Sequence, residues 1–297
     1  MANLKEVRER ISSVKNTQQI TKAMKLVAAS KLRRAQQAIT QMRPYADKLD
    51  EILRNILSNL EGDVSSSFGV ERPAEKICLV VITSNRGLCG AFNTNVIKAA
   101  RKALDEKYAE QAAAGHVSIL AIGKKGSEAF GRSEYASLVD NRFMDLAEDL
   151  SADNIARVSK YLMDEFSNEN FDLVDVAYAR FRNAAVQYFN VVQFLPIAKI
   201  EVAEDAAPAK ANYIFEPEKE SLLNHLIPSI LQTSFQKFVF DSNASEHGAR
   251  MTAMDSATEN ANELLRELKI TYNKARQESI TNEILEIVSG AAALENG

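Results

Sequence analysis

Tryptophan is absent from this chain of 297 residues, and cysteine and histidine are scarce, at two and three residues. Each gap removes a class of function. Cys78 and Cys89 make no disulfide framework, which suits a reducing interior. His116, His225 and His247 lie far apart and near no cysteine pair, so zinc-ligand spacing is missing. The longest unbroken apolar run, Ile77 to Ile82, falls far short of the roughly 20 residues that a membrane-spanning helix needs. The opening MANLKEVRERISSVKN alternates charge with apolar side chains and contains Glu6 and Glu9. It therefore reads neither as a secretory signal nor as an acid-poor transit peptide. A cytoplasmic chain with no metal and no cofactor is the expectation.

What is present is helix-forming. With 46% apolar and 26% charged residues the chain is ordinary for a folded soluble protein, and Ala, Gln, Glu, Lys, Leu and Arg are plentiful. The net charge of −4 is unevenly spread. Residues 1–43 carry ten Lys and Arg against Glu6 and Glu9, whereas the last twenty residues hold Glu278, Glu283, Glu286 and Glu295 and no basic residue. Such a basic surplus attracts an acidic partner or nucleic acid.

Strides of three and four from Leu4 through Val7, Ile11, Val14, Gln18, Thr21, Lys25, Ala28 and onward to Leu60 meet fourteen apolar residues in seventeen positions. That is a coiled-coil stripe, long enough for a helix of about 90 Å at 1.5 Å per residue. Pro44 interrupts it, but the register survives, which predicts a kink rather than a break. A second stripe runs through Met251, Met254, Ala261, Leu265, Leu268, Tyr272 and Ala275, then drifts to Ile280, Ile284, Ile287 and Val288.

Between the stripes the pattern changes. A turn-rich stretch at 61–75 precedes KICLVVIT (76–83), a β-branched run suited to a strand buried on both faces. A helical stretch at 92–113, a strand at 116–123, a helix at 151–166 and strands at 171–181 and 188–197 follow. This alternation predicts an α/β layer around a mostly parallel sheet. An acidic, Ala- and Pro-rich loop occupies 201–212.

The loop SNRGLCGAF after the first strand invites a test for phosphate binding. A P-loop needs glycines five positions apart and then Lys-Ser/Thr, but Gly87 and Gly90 are three apart and no lysine follows them. A dinucleotide fingerprint needs an acid after the second strand, where Lys124 and Lys125 stand instead. Both tests fail, which leaves a strand-to-helix turn. Ser84 has no nearby histidine or aspartate in sequence, and Cys89 fits a buried turn position. The pairs Asp145/Glu148 and Glu283/Glu286 sit one helical turn apart, as on a solvated face.

At the far end ITNEILEIVSGAAA (280–293) meets the pattern I-T-x-E-x-x-E-x-x-x-G-A through Ile280, Thr281, Glu283, Glu286, Gly290 and Ala291. Together with ITKAMKLVAASKLRRAQ (20–36), RPYA (43–46), RGLCG (86–90) and YNKARQ (272–277), it resembles the gamma-subunit family of F-type ATP synthases. The resemblance implies an α/β fold plus a long antiparallel coiled coil of the N- and C-terminal helices. The central domain would be Rossmann-like and without a nucleotide site. The segments would be 1–60 and 212–297 for the helices and 76–200 for the domain. It implies a non-catalytic rotor shaft that couples c-ring rotation to chemistry on the beta subunits and regulates ATPase activity. Partners would be the ring of alpha and beta subunits, the epsilon subunit and the membrane c-ring, with no nucleic acid. The location would be peripheral, on the cytoplasmic face of a bacterial inner membrane.

By the same resemblance Met24, Arg250, Gln277, Thr281 and Glu283 match positions tied to coupling, and Tyr213, Phe215 and Glu216 lie in a foot segment near the c-ring. The residues themselves give a basic segment with Met24, Lys25, Lys31, Arg33 and Arg34 and an apolar, base-free stretch from Ile284 to Leu294. In the role that the resemblance implies, the first would face acidic loops of catalytic subunits and the second would suit an apolar collar. Asn85 stands where the family commonly has Asp, and Ala91 where it has Gly. No cysteine follows Cys89, so a regulatory dithiol is not expected. Two other readings compete: a nucleotide-dependent α/β enzyme with helical arms, and a basic coiled-coil adaptor for nucleic acid.

Overall fold

The computed structural model of the chain describes residues 4–58, 68–197 and 219–295. It divides into two compact units, Met1–Ala28 with Met251–Gly297, and Ala29–Arg250. Helix α1 spans Leu4–Ser58 and runs on through Pro44 without a break. The last helix, α6, spans Lys219–Glu295.

The larger unit is built on five strands in the order β3-β2-β1-β4-β5. These are β1 (Ile77–Ile82), β2 (Val117–Ile122), β3 (Val139–Asp140), β4 (Leu173–Phe181) and β5 (Gln187–Leu195). Strands β1 to β4 are parallel, and β5 returns antiparallel to β4. Every residue of β1 is buried, as a central strand covered on both faces requires. Ile77, Leu79 and Val81 face a layer made by α2 (Phe92–Glu106) and α4 (Lys124–Phe130). Cys78, Val80 and Ile82 face the other way, onto α5 (Ala152–Ser167), Leu49 of α1 and Ile227, Leu231, Phe235 and Val239 of α6. The period-2 alternation of one strand thus feeds both cores.

The helical stretch read over 92–113 is two helices, because the chain turns in at Tyr108 before α3 (Ala109–Ala113). Tyr108 is 3% exposed, and its hydroxyl donates to Asp175 Oδ2 at 2.6 Å. Lys107 donates to the same oxygen at 3.1 Å. Burying one aromatic ring and supplying two donors to one oxygen of a buried carboxylate outweighs continuing the helix through these two residues. Besides two short 3-10 turns at Ala136–Leu138 and Met144–Glu148, two elements were not read from the sequence, α4 and β3. The first is seven residues long and begins at a glycine with φ of +91°, Gly123, and the second has only two residues. A Cβ on Gly123 would stand 2.2 Å from the carbonyl oxygen of Thr83, so only glycine fits at this approach of β2's end to β1's end.

In the smaller unit the N-terminal part of α1 and the C-terminal part of α6 lie antiparallel. Arg8 bonds Tyr272, Gln18 bonds Asn262, Thr21 bonds Thr258 and Lys25 bonds Asp255. Residue numbers in these pairs add to 280, or to 279 for the threonines, so one register holds throughout. Between the polar contacts Val7, Ala28, Met254, Ala261 and Leu268 are buried.

Candidate functional site

The helix pair shows what the stripe could not. Three of its seventeen positions are polar, Gln18, Thr21 and Lys25, and each of the three finds its partner across the seam. The hydroxyls of Thr21 and Thr258 are 2.8 Å apart, and the Lys25 ammonium pairs with the Asp255 carboxylate at about half exposure. Polar groups at a seam specify register at some cost in stability, and a half-exposed ion pair adds only about 0–1 kcal/mol. Carried on, the register puts Leu4, the first described residue of α1, opposite residue 276. Helix α6 nevertheless continues to Glu295. Past that point Ile280, Ile284, Leu285, Ile287 and Val288 are 45–72% exposed. Ile20, Leu26 and Val27 are likewise exposed on α1.

In the larger unit the glycine loop leaves the C-terminal end of β1, where the strand order reverses between β2 and β4. Ligands of open α/β sheets bind at such a point. Here the hollow beside it, lined by Thr83, Phe92, Leu150, Ser242 and Glu246 among others, has a volume of about 20 Å³, room for one water. The loop's own polar groups are spent internally. The Ser84 amide donates to Asn93 Oδ1 at 3.0 Å, the Ser84 hydroxyl donates to the Arg86 carbonyl at 2.7 Å, and the Lys124 amide donates to Asn85 Oδ1 at 3.0 Å. Cys89 is buried against Asn93 Nδ2 at 3.2 Å.

The apex of this loop is unusual. Leu88 has a left-handed backbone, φ of +62°, and is 65% exposed, while Gly90 has φ of +57°. For a leucine that conformation costs about 1–2 kcal/mol, and no side-chain burial offsets it. Arg250 of α6 holds the loop. Its Nη2 donates to the carbonyls of Arg86 at 3.0 Å and Gly87 at 3.3 Å. Its Nη1 donates to Glu246 Oε1 at 2.5 Å and lies 3.3 Å from His247 Nδ1. The two side chains of the ion pair are 12% and 16% exposed. His247 is 9% exposed, and burial, then the charges of Arg250 and Lys31, push its pKa down to about 4. The neutral imidazole so favoured accepts a hydrogen bond from the guanidinium instead of repelling it.

With this geometry in place, the comparisons decide the family. A family model described as ATP synthase matches residues 3–294. The ATP synthase gamma chain of Flavobacterium psychrophilum is 50% identical over 295 residues, covering 99% of this chain and 100% of that protein. That of Cytophaga hutchinsonii is 49% identical over 298 residues, all of both chains. The chain belongs to the ATP synthase gamma-chain family. A chain of the Euglena gracilis mitochondrial ATP synthase, in the OSCP/F1/c-ring structure of rotational state 3, shares the fold with a TM-score of 0.68 at 23% identity. It covers 99% of this chain and 95% of its own length. The rotor of the same synthase in rotational state 1 has a TM-score of 0.61 at 22% identity, covering 93% of this chain and 98% of its own.

Among the gamma-chain residues singled out by sequence, Met24 is half-buried on α1 and Lys31, Arg33 and Arg34 are exposed. Lys25 is turned to Asp255 inside the chain. Gln277, Thr281 and Glu283 are exposed in the part of α6 beyond the paired register, with the Thr281 hydroxyl donating to the Gln277 carbonyl at 2.9 Å. Arg250 spends its donors on the glycine loop. Tyr213, Phe215 and Glu216 lie outside the described residues. Asp145 and Glu148 both pair with Lys124, at 3.5 and 2.9 Å, on an exposed surface. Sequence reasoning missed Glu246 and His247. The signal was present as a Glu and an Arg four apart on one helix face, but nothing in it pointed to a loop some 160 residues earlier. Among the described residues no cluster of three His, Cys, Asp or Glu side chains could hold a metal ion, and no helix is long and apolar enough to cross a membrane.

Proposed function

We propose that the chain is the non-catalytic central shaft of a proton-translocating ATP synthase. The shaft turns with a membrane c-ring inside a ring of alpha and beta subunits, and ATP is made or hydrolysed on beta. The observation that carries this reading is the helix pair of a gamma-family chain: one register of antiparallel contacts, then a single helix that continues alone with its apolar side chains exposed. Apolar surface without lysine or arginine makes no fixed ion pair, so it slides past successive partners without a deep electrostatic minimum. Lys31, Arg33 and Arg34 supply a contrasting cationic stretch whose attraction is long-ranged and tolerant of orientation.

In this role the segments 1–60 and 212–297 carry the helices that enter the ring. Segment 76–200 forms the foot, with Tyr213, Phe215 and Glu216 on its c-ring side and the epsilon subunit beside it. Met24, Gln277, Thr281 and Glu283 are contact positions for the ring, and regulation of ATPase activity follows from the same contacts. The chain is held peripherally at the cytoplasmic face of a bacterial inner membrane through the complex alone. Co-purification tests this: the untagged chain should elute with alpha, beta and epsilon subunits, and the assembly should pump protons when given ATP. A chain that elutes alone and binds ATP or NAD tightly one-to-one by calorimetry would instead be an α/β enzyme.

A further inference from the structure

The glycine loop holds a contradiction that the shaft role alone does not resolve. An exposed leucine sits in a backbone conformation that side chains avoid, at the tip of a turn whose own amides are partly committed elsewhere. Strain of this kind persists only where neighbouring structure over-determines it. Two side chains supply it: the Ser84 hydroxyl donates to the Arg86 carbonyl from within the loop, and the Arg250 guanidinium, from α6, takes hold of two successive carbonyls, those of Arg86 and Gly87, immediately before Leu88. A planar fork suits this task, since donors on one terminal nitrogen can serve both carbonyls while the other nitrogen is anchored behind. The anchor is Glu246, one helical turn back on α6, with His247 Nδ1 beside it.

We propose that Glu246 is a positioning residue: through Arg250 it locks the Arg86–Gly90 turn in its left-handed shape and so fixes Leu88 and Arg86 on the surface. The long Arg250 side chain has many rotamers, and the one it adopts reaches both carbonyls. The carboxylate selects it, because Nη1 and Nη2 are rigidly coplanar and seating the first places the second. Arg250 therefore acts inside the chain, and the groups it positions are the ones that reach outward. The functional half of this proposal, that the turn's shape matters for coupling, rests on the shaft reading above; the positional half does not.

The Arg86 carbonyl that Arg250 grips is also the carbonyl of a bond trypsin cleaves. In the native full-length chain, Glu246→Ala should speed cleavage of the Arg86–Gly87 bond at least about tenfold. Cleavage after the exposed Arg132 and Arg142 should stay at the wild-type rate. Glu246→Gln, which keeps an acceptor oxygen, should recover part of the protection. Arg250→Lys should behave like Glu246→Ala, because an ammonium cannot bridge two carbonyls and a carboxylate in one plane. In the assembled complex, Glu246→Ala should lower the protons pumped per ATP hydrolysed while hydrolysis continues. An unchanged rate at Arg86–Gly87, or an equal rise at all three bonds, overturns the clamp. A selective rise with a wild-type pumping ratio overturns its part in coupling. Failure of the wild-type chain to support any pumping would count against the shaft reading and leave the cleavage result standing.

Discussion

At the scale of single residues, the chemistry of this chain is that of held geometry. His247 shows how much one buried group can weigh. Burial first, then Arg250 and Lys31, lower its pKa to about 4 in the folded chain, against about 6.5 when unfolded. Between those values the unfolded chain binds a proton that the folded chain refuses. The stability tied to the neutral ring is thus complete above pH 6.5 and is lost as pH falls toward 4. The charged groups facing the ring are Arg250, Lys31 and the Glu246 carboxylate beside Arg250. At pH 5 the loss should be about 2 kcal/mol. Urea unfolding of wild type and His247→Asn at pH 7.5 and pH 5 checks it: the wild type should lose that much more than the variant over the interval.

Residue by residue, the sequence was legible where chemistry is local. Cys89 as a buried turn residue and Asp145 with Glu148 on a solvated face were readable because neighbours in sequence set their surroundings. Arg250 was singled out by resemblance, but its bonds to Arg86 and Gly87 join residues 163 and 164 positions apart, and no period or composition encodes such a contact. Asp175 was invisible for the same reason: it sits inside an apolar strand, and only the fold brings Lys107 and Tyr108 to it.

At the scale of elements, periodicity did most of the work. The two stripes, the run 76–83 and the strand candidates at 116–123, 171–181 and 188–197 all correspond to elements, because long amphipathic helices and fully buried strands carry strong patterns. The short α4 and β3 left no pattern to read. The three polar breaks in the first stripe looked like noise and are the register marks. Replacing them with Leu at 18, Val at 21 and Leu at 25 removes polar groups from a seam. The triple variant Gln18→Leu, Thr21→Val, Lys25→Leu should raise the thermal unfolding midpoint by a few degrees while weakening the choice of register. Cysteines placed at Val14 and Leu265, cross-linked under oxidation in both backgrounds, report that choice: a single adduct in the parent, and lower yield in the triple variant. A midpoint that falls would show that these contacts stabilise more than they specify.

The exposed end of α6 permits a further test at this scale. In the proposed shaft, bearing contact spread over many apolar side chains would be redundant, so deleting residues 289–297 should leave assembly intact and reduce coupling by less than half, read as proton pumping per ATP hydrolysed. Loss of assembly would make the end of α6 an anchor.

For the whole molecule, the resemblance read from the motifs at both ends and the centre agrees with a family match over residues 3–294 and with relatives near 50% identity along their full length. Among the described residues the hollow at the sheet's switch point has room for one water, and the antiparallel pair of long helices is the feature on which the proposed shaft role rests. Cys78 and Cys89 are fully buried, so a cysteine introduced at the exposed Glu110 of α3 can be labelled selectively. The decisive measurement attaches a bead there and watches it while an immobilised alpha and beta ring hydrolyses ATP. The bead should turn continuously in one direction; a bead that stays fixed during hydrolysis would contradict the account.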